Sequence, residues 1–436
     1  MRKRTFFLAG LLAVSMTVGM SGCGGEEISQ ADLPIETNLT STTVTSDTNT
    51  SSTESTVLET ADTYVLSSTE LSTTSETLAA SSEIAENSSD VTPANPAQTS
   101  VSATQPSVPS ATQAQTSTKP IVQSSDPLDI PTISTTGGVT RIENNIIIAN
   151  SGTDHPRAIE PFWGSFPNGK RYGQLISKYA AAVGSNVHTW LMSLPTSQAF
   201  YQPDDVPLNN GTQQQHFENI CSELKGATGV PVIDAIAPHK NEPLYSRTDY
   251  HWQPLAAYYA AEQFAAKAGV PYAPLSTYEK KTGEEYLGAF YRVNKIQELA
   301  KYPEPFTYYK PADVNSLVCT YYDTKFKNGT KSKLFFEGGA ITYCVFVGRD
   351  NCILQVDTQT NNNRVLVIFK DSFGNALVPF LTQSFSKIYL CDIRYFDINA
   401  ISFIKNVGAT DLLFAISTTN SLSKRNLDYI ENNMKK

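Results

Sequence analysis

The stretch Val365-Leu366-Val367-Ile368-Phe369-Lys370-Asp371-Ser372-Phe373-Gly374-Asn375 constrains this chain more than any other. Its apolar, β-branched run is short, and reads as a strand covered on both faces. A helical pattern follows from about 374 to 384, so strand gives way directly to helix. The Ser372 hydroxyl falls at that junction. Free backbone N–H groups and the positive end of the helix dipole can activate a nucleophile there and stabilise an oxyanion.

A second stretch, Ser246-Arg247-Thr248-Asp249-Tyr250-His251-Trp252, supplies what such a serine needs. An imidazole serves as base and a nearby carboxylate orients it. The two stretches together point to Ser372, His251 and Asp249, in the chain order Asp, His, Ser. Alone, each has a plainer reading: a serine before Gly-Asn is commonly a turn or cap residue, and His251 beside Trp252 reads as a core histidine. Asp154-His155 is a rival pair, but Pro156 directly after it makes a turn the better reading. His188, His216 and His239 have no adjoining carboxylate. Trp163, Trp190 and the many Tyr of 245–322 are either core or sugar-stacking residues.

Strands and helices alternate through the last 300 residues. Strands are predicted at 145–148, 187–194, 364–369, 387–391 and 411–416, with a short extended piece at 230–234. Helices are predicted at 172–183, 213–224, 254–268, 374–384 and 396–406, with a polar one at the C-terminus. Residues 270–340, rich in Tyr, Pro and Lys, read as an irregular insertion. This spacing predicts a mainly parallel sheet with helices on both faces. Its ligand cleft lies at the carboxyl ends of the strands, where Ser372 and Asp392 fall.

The first 135 residues differ. Arg2-Lys3-Arg4 precedes an apolar segment, Phe6 to Met20, that is too short for a stable membrane span and reads as an export signal. Ser/Thr-rich sequence follows to about Thr135, unable to bury enough apolar surface to offset chain entropy, so a disordered tether is expected. About 110 such residues span roughly 60 Å. Charge divides the same way. The chain has 42 Asp+Glu and 33 Lys+Arg, but residues 24–135 hold 15 acids and Lys119 alone, leaving the rest near neutral. Without a basic stripe, nucleic acid is not an expected partner. The expected division is therefore 1–22 signal, 23–135 linker and 136–436 folded domain. No Cys/His spacing suits a metal and no cofactor motif occurs. Cys221 and Cys391 read as buried thiols, and Cys344 and Cys352 are candidates for a bridge.

Two resemblances add to this reading. Met20-Ser21-Gly22-Cys23 resembles a bacterial lipobox, with Met20 where Leu is more usual. It implies cleavage before Cys23, lipidation of Cys23, and anchoring at the outer face of the cytoplasmic membrane. Asp371-Ser372 after a strand resembles block one of the SGNH (GDSL-like) hydrolases, with Lys370 where Gly usually stands. Thr248-Asp249-Tyr250-His251-Trp252 resembles the motif that names the DHHW family, with Tyr250 for its first His, and the Asp-x-His of the alginate O-acetyltransferases. Arg157-Ala158-Ile159-Glu160, Leu194-Pro195-Thr196, Tyr201 and Asp392-Ile393-Arg394-Tyr395-Phe396 agree.

The family resemblance implies a three-layer αβα, flavodoxin-like domain, circularly permuted so that Asp249 and His251 precede Ser372. It also implies acyl transfer to, or hydrolysis from, a polysaccharide. Asn420, after the strand at 411–416, is the candidate oxyanion donor, its alternative being a helix cap. Arg394 is a candidate substrate-binding residue, its alternative an ion-pair partner. A transferase outside the cell has no acyl-CoA, which implies an integral-membrane partner delivering acetyl. A non-catalytic, glycan-binding scaffold of the same fold is the contrasting reading.

Overall fold

A computed structural model describes residues 138–436, so the expected signal, Cys23 and the linker lie outside the described residues. The described part begins with a three-stranded antiparallel sheet of β1 (Val139–Glu143), β2 (Ile146–Ser151) and β3 (Arg157–Ile159). Asn144 and Asn145, at φ 50° and 61°, make the two-residue turn between its first strands, a conformation Asn tolerates better than most residues.

The central sheet has eight strands: β4 (His188–Leu194), β5 (Ala227–Val230), β8 (Val318–Tyr322), β9 (Thr330–Ser332), β10 (Ile353–Asp357), β11 (Val365–Lys370), β12 (Lys387–Asp392) and β13 (Asp411–Ser417). Their order is β5-β4-β13-β11-β12-β10-β8-β9. The first five are mutually parallel, and β10, β8 and β9 extend the sheet antiparallel. The two remaining strands, β6 (Glu279–Tyr286) and β7 (Glu304–Lys310), pair with each other.

Both faces of the sheet are buried, which explains the unbroken apolar run of β11. Leu366 and Ile368 join one core with the Ala-rich helix Pro254–Ala268, Trp252 and Phe380. Val367 and Phe369 join the other, with Tyr172, Leu175 and Tyr179 of the helix Phe166–Val183 and with Phe403 and Leu427. Each such side chain contributes about 1.5–3 kcal/mol by leaving water. The result is the expected three-layer αβα arrangement. Pro254 opens its helix, and Gly269, left-handed at φ 64°, closes it while its N–H returns to Ala265 and Ala266.

Three secondary-structure expectations need correction. Residues 230–234 are not one extended piece: Pro231 ends β5, and Val232–Ile236 is helical. The helix expected at 374–384 starts earlier, as a 3-10 turn at Ser372–Leu377, and becomes α-helical at Val378–Leu381. Residues 270–340 are not merely irregular, because they contain β6, β7, β8 and β9. Cys344 and Cys352 are not bridged to each other; Cys319 and Cys391 are buried free thiols, whereas Cys221, expected to be buried, is only half-buried. Among the described residues no helix is long and apolar enough to cross a membrane.

Candidate active site

Parallel pairing aligns Lys370 of β11 with Asp392 of β12 and Ala415 of β13. Ser372 therefore leaves the carboxyl end of a central strand with neighbours on both sides. The turn is held by Asp371. Its Oδ1 accepts from the Phe373 N–H (3.1 Å), and its Oδ2 accepts from the Ser417 N–H (3.0 Å), the Ser417 hydroxyl (2.6 Å) and Asn420 Nδ2 (2.7 Å). Gly374 is required here, since a Cβ would lie 2.5 Å from the Lys370 Cβ. Asn420 thus secures the residue before the serine; the helix cap nearby is Ser417.

Asp249 and His251 arrive on the loop before the helix Pro254–Ala268. Glu304, at the start of β7, accepts from the Arg247 N–H (2.8 Å), the Thr248 N–H (2.6 Å), the Thr248 hydroxyl (2.7 Å) and the Ser246 hydroxyl. The Ala158 N–H of β3 donates to Arg247 O at 3.0 Å, and Arg157 Nη1 reaches the carbonyls of Tyr245 and Ser246. Gly288 packs so closely that a Cβ would come within 2.5 Å of both Asp249 Cβ and Thr248 O.

The loop and the turn meet at the serine. His251 Nε2 lies 2.9 Å from Ser372 Oγ, and His251 Nδ1 lies 2.8 Å from Asp249 Oδ1. That carboxylate oxygen also accepts the His251 N–H (3.0 Å), and Oδ2 accepts the Ala289 N–H (3.0 Å). Asp249 on Nδ1 selects the tautomer whose Nε2 is free to accept a proton from Ser372. Burial pushes the Asp249 carboxyl up, but bonds from His251 and Ala289 outweigh it and hold the group below its ordinary value. The imidazole stacks on Tyr343, with centroids 3.9 Å apart and planes 5° from parallel. The Tyr343 hydroxyl lies 3.0 Å from Ser372 O and 2.7 Å from Phe373 O, so one residue fixes both the base and the serine turn. Trp252 Nε1 donates to Phe373 O at 3.1 Å.

Behind the turn is a buried charge network. Lys370 Nζ bonds Asp350 (2.6 Å) and Asp392 (2.9 Å), and Arg394 Nη2 bonds the same pair at 3.0 and 2.7 Å. Arg394 is thus ion-paired at the ends of the strands. Lys370, in the position usual for Gly, has two carboxylates to satisfy it. His155 is exposed, its Nε2 3.6 Å from Asp154, and it makes no hydrogen bond to Ser372, His251 or Asp249. Trp190 is core and donates to Asp411 (3.0 Å), whereas Trp163 is 56% exposed. No group of three or more metal-ligating side chains occurs among the described residues.

Sequence reasoning missed Glu304 and Tyr343, which reach the site only through the fold. It quoted Glu160 without giving it a role. Glu160 follows β3, its Oε2 is buried without a hydrogen-bond partner, and burial pushes its carboxyl up to about 7.

A three-layer αβα fold with a serine at a central strand end, and an Asp-x-His pair bonded to it, defines an SGNH-like domain with the Asp-His pair first in sequence. The chain belongs to the DHHW family: residues 165–391 match the family described as DHHW protein. A DHHW family protein from Eubacterium siraeum is 36% identical with a TM-score of 0.64, over 68% of this chain and 98% of that one. Bacillus cereus PatB1, also solved with a sulfonyl adduct, shares the fold at 16–18% identity and a TM-score of 0.53, over 67% of this chain and 99% of its own. No curated protein sequence matches the chain.

Proposed function

We propose that this protein is a serine-dependent acyltransferase or esterase acting on O-acetyl groups of cell-envelope or secreted polysaccharide. The observation carrying the reading is the unbroken hydrogen-bonded chain from Asp249 through His251 to Ser372, at 2.8 and 2.9 Å. Ser372 Oγ attacks the acyl carbonyl while its proton passes to His251 Nε2. The C–O bond to the leaving alcohol then breaks, and that alcohol takes the proton, leaving acyl-Ser372. A sugar hydroxyl or water gives its proton to the same nitrogen, attacks the ester and frees the serine. The Ser372 N–H, opening its helical turn, and the Asn420 amide beside Asp371 are assigned to the oxyanion. Exposed Trp163 offers a sugar face an aromatic surface. Lipidation at Cys23 would hold the domain outside the cytoplasmic membrane, where an integral-membrane partner would supply acetyl for transfer.

Turnover of an acetyl ester such as p-nitrophenyl acetate, wild type against Ser372→Ala, tests this reading. Loss of turnover in the variant supports it. A wild type that binds glycan but turns over no ester makes the protein a scaffold instead.

A further inference from the structure

A short segment ahead of β10 grips the serine turn from behind. It begins with the 3-10 turn Tyr343–Val345, whose Tyr343 stacks on His251 and meets the carbonyls of Ser372 and Phe373. Near its end, Asp350 reaches both flanks of the nucleophile. Asp350 Oδ1 accepts from Lys370 Nζ, before Ser372, at 2.6 Å and from Asn375 Nδ2, after it, at 2.9 Å. Its Oδ2 accepts from Arg394 Nη2 at 3.0 Å. Asp350, Lys370, Ser372 and Asn375 are all buried.

Asp392 pairs with the same two cations, at 2.9 and 2.7 Å. Asp350 differs in also bonding the far side of the turn. Asn375 Oδ1 is buried without a partner, so the Nδ2 bond to Asp350 is what orients this amide. Lys370 ends β11 and Asn375 lies within the turn Ser372–Leu377, so one carboxylate oxygen spans the junction that carries the Ser372 hydroxyl and N–H. Asp371 ties that junction to β13 through Ser417 and Asn420. Asp350 ties it on the other side, where β12 and β10 follow β11 in the sheet.

The chain is strained on its way to Asp350. Val347 is left-handed at φ 63°, and the Gly348 N–H donates across it to Phe346 O at 2.6 Å. A three-residue turn with positive φ at its centre is rare, and a β-branched residue suits it badly. Such a conformation persists only where its surroundings dictate it, commonly at functional sites.

We propose that Asp350 is a positioning residue for the nucleophile: its Oδ1, bonded to Lys370 and Asn375, sets the pitch of the turn and so aims the Ser372 hydroxyl and N–H at the acyl carbonyl. Asp350 takes no proton in the reaction, so the proton balance of acyl transfer is unchanged. This rests on the acyl-enzyme reading above.

The test is rapid-mixing kinetics of the full-length protein with p-nitrophenyl acetate between pH 5 and pH 8.5, with thermal unfolding of each variant. Wild type is compared with Asn375→Leu and with the double variant Asp350→Leu plus Lys370→Met. Asn375→Leu leaves every ion pair in place. The double variant removes a buried pair as a unit, and exchange of such pairs for apolar side chains is commonly tolerated. Each should acylate about 10–10²-fold more slowly, with KM for the ester within about threefold of wild type. The rise of rate with pH should stay where it is, because His251 keeps its bond to Asp249. A folded variant that acylates at the wild-type rate overturns the role and leaves Asp350 a charge partner only. A loss that comes with a displaced pH profile also overturns it, since the network then acts through the base. A loss seen in KM alone overturns it too, assigning the network to substrate binding. Should one variant not fold, the other decides by the same criteria. Absence of any acyl-enzyme in wild type is a different failure, and overturns the acyl-transfer reading itself.

Discussion

At the residue scale, the proposed reaction divides one proton transfer among three side chains, so their substitutions should not add. Ser372→Ala and His251→Ala are each expected to remove nearly all ester turnover, and the double variant to be scarcely worse. Asp249→Asn keeps the shape but offers Nδ1 an amide in place of the carboxylate it pairs with at 2.8 Å. It should fold normally and lose on the order of 10²–10⁴-fold in kcat by favouring the wrong tautomer. His155→Ala should be silent, since that ring lies on the surface. Steady-state rates of these variants decide the matter: an inactive His155→Ala beside an active His251→Ala would assign the chemistry to the other Asp-His pair.

At the scale of elements, the triad depends on a close approach between two loops. Gly288 gives Asp249 its room, and the N–H groups of Gly288 and Ala289 bind Thr248 Oγ1 and Asp249 Oδ2, each at 3.0 Å. Gly288→Ala should force the loops apart, cost about 1–3 kcal/mol as an overpacking change, and lower turnover about 10²-fold through misplacement of the base. Thermal unfolding and ester turnover measure both. Unchanged values in both would show that the contact does not position Asp249.

The same scale explains what the sequence could reveal. Val365–Phe369 was legible because a strand covered on both faces is apolar throughout, and Pro254–Ala268 because Pro and Gly mark its ends. The β8–β10 extension was not: β9, Thr330–Ser332, is wholly exposed and β10 is five residues long, so neither carries a clear apolar pattern. The grouping of these three residues could be read because Asp249 and His251 are two residues apart and Ser372 follows an obvious strand. Glu304 lies 58 residues from Ser246 and Tyr343 lies 29 from Ser372, so only the fold brings them in. Lys370 looked anomalous until Asp350 and Asp392 appeared beside it.

At the scale of the whole molecule, the site leaves a signature on stability against pH. Asp249 and Asp350 have native pKa values below the ordinary 3.8. Their contribution is complete above about pH 4–5 and is lost as pH falls through the depressed native values. Glu160 runs the other way, from an ordinary 4.5 to about 7. Between those values the native state holds the extra proton, so stability declines as pH rises from about 4.5 to 7. Urea unfolding should therefore give a maximum near pH 5, and Glu160→Gln should flatten the decline toward pH 8. Identical slopes for the two proteins would contradict the placement of Glu160. The division near residue 135 is a separate proposal: a fragment beginning near Ser134 should unfold as cooperatively as the full chain, and loss of cooperativity would refute it.

The central claim is that Ser372 is a nucleophile activated by His251, and the most direct measurement is covalent. Full-length protein treated with phenylmethylsulfonyl fluoride and mapped by peptide mass spectrometry should carry a single sulfonyl group, on Ser372, with labelling strongly slowed in His251→Ala. A protein that stays unlabelled, or carries the group elsewhere while its ester turnover continues, would contradict the account.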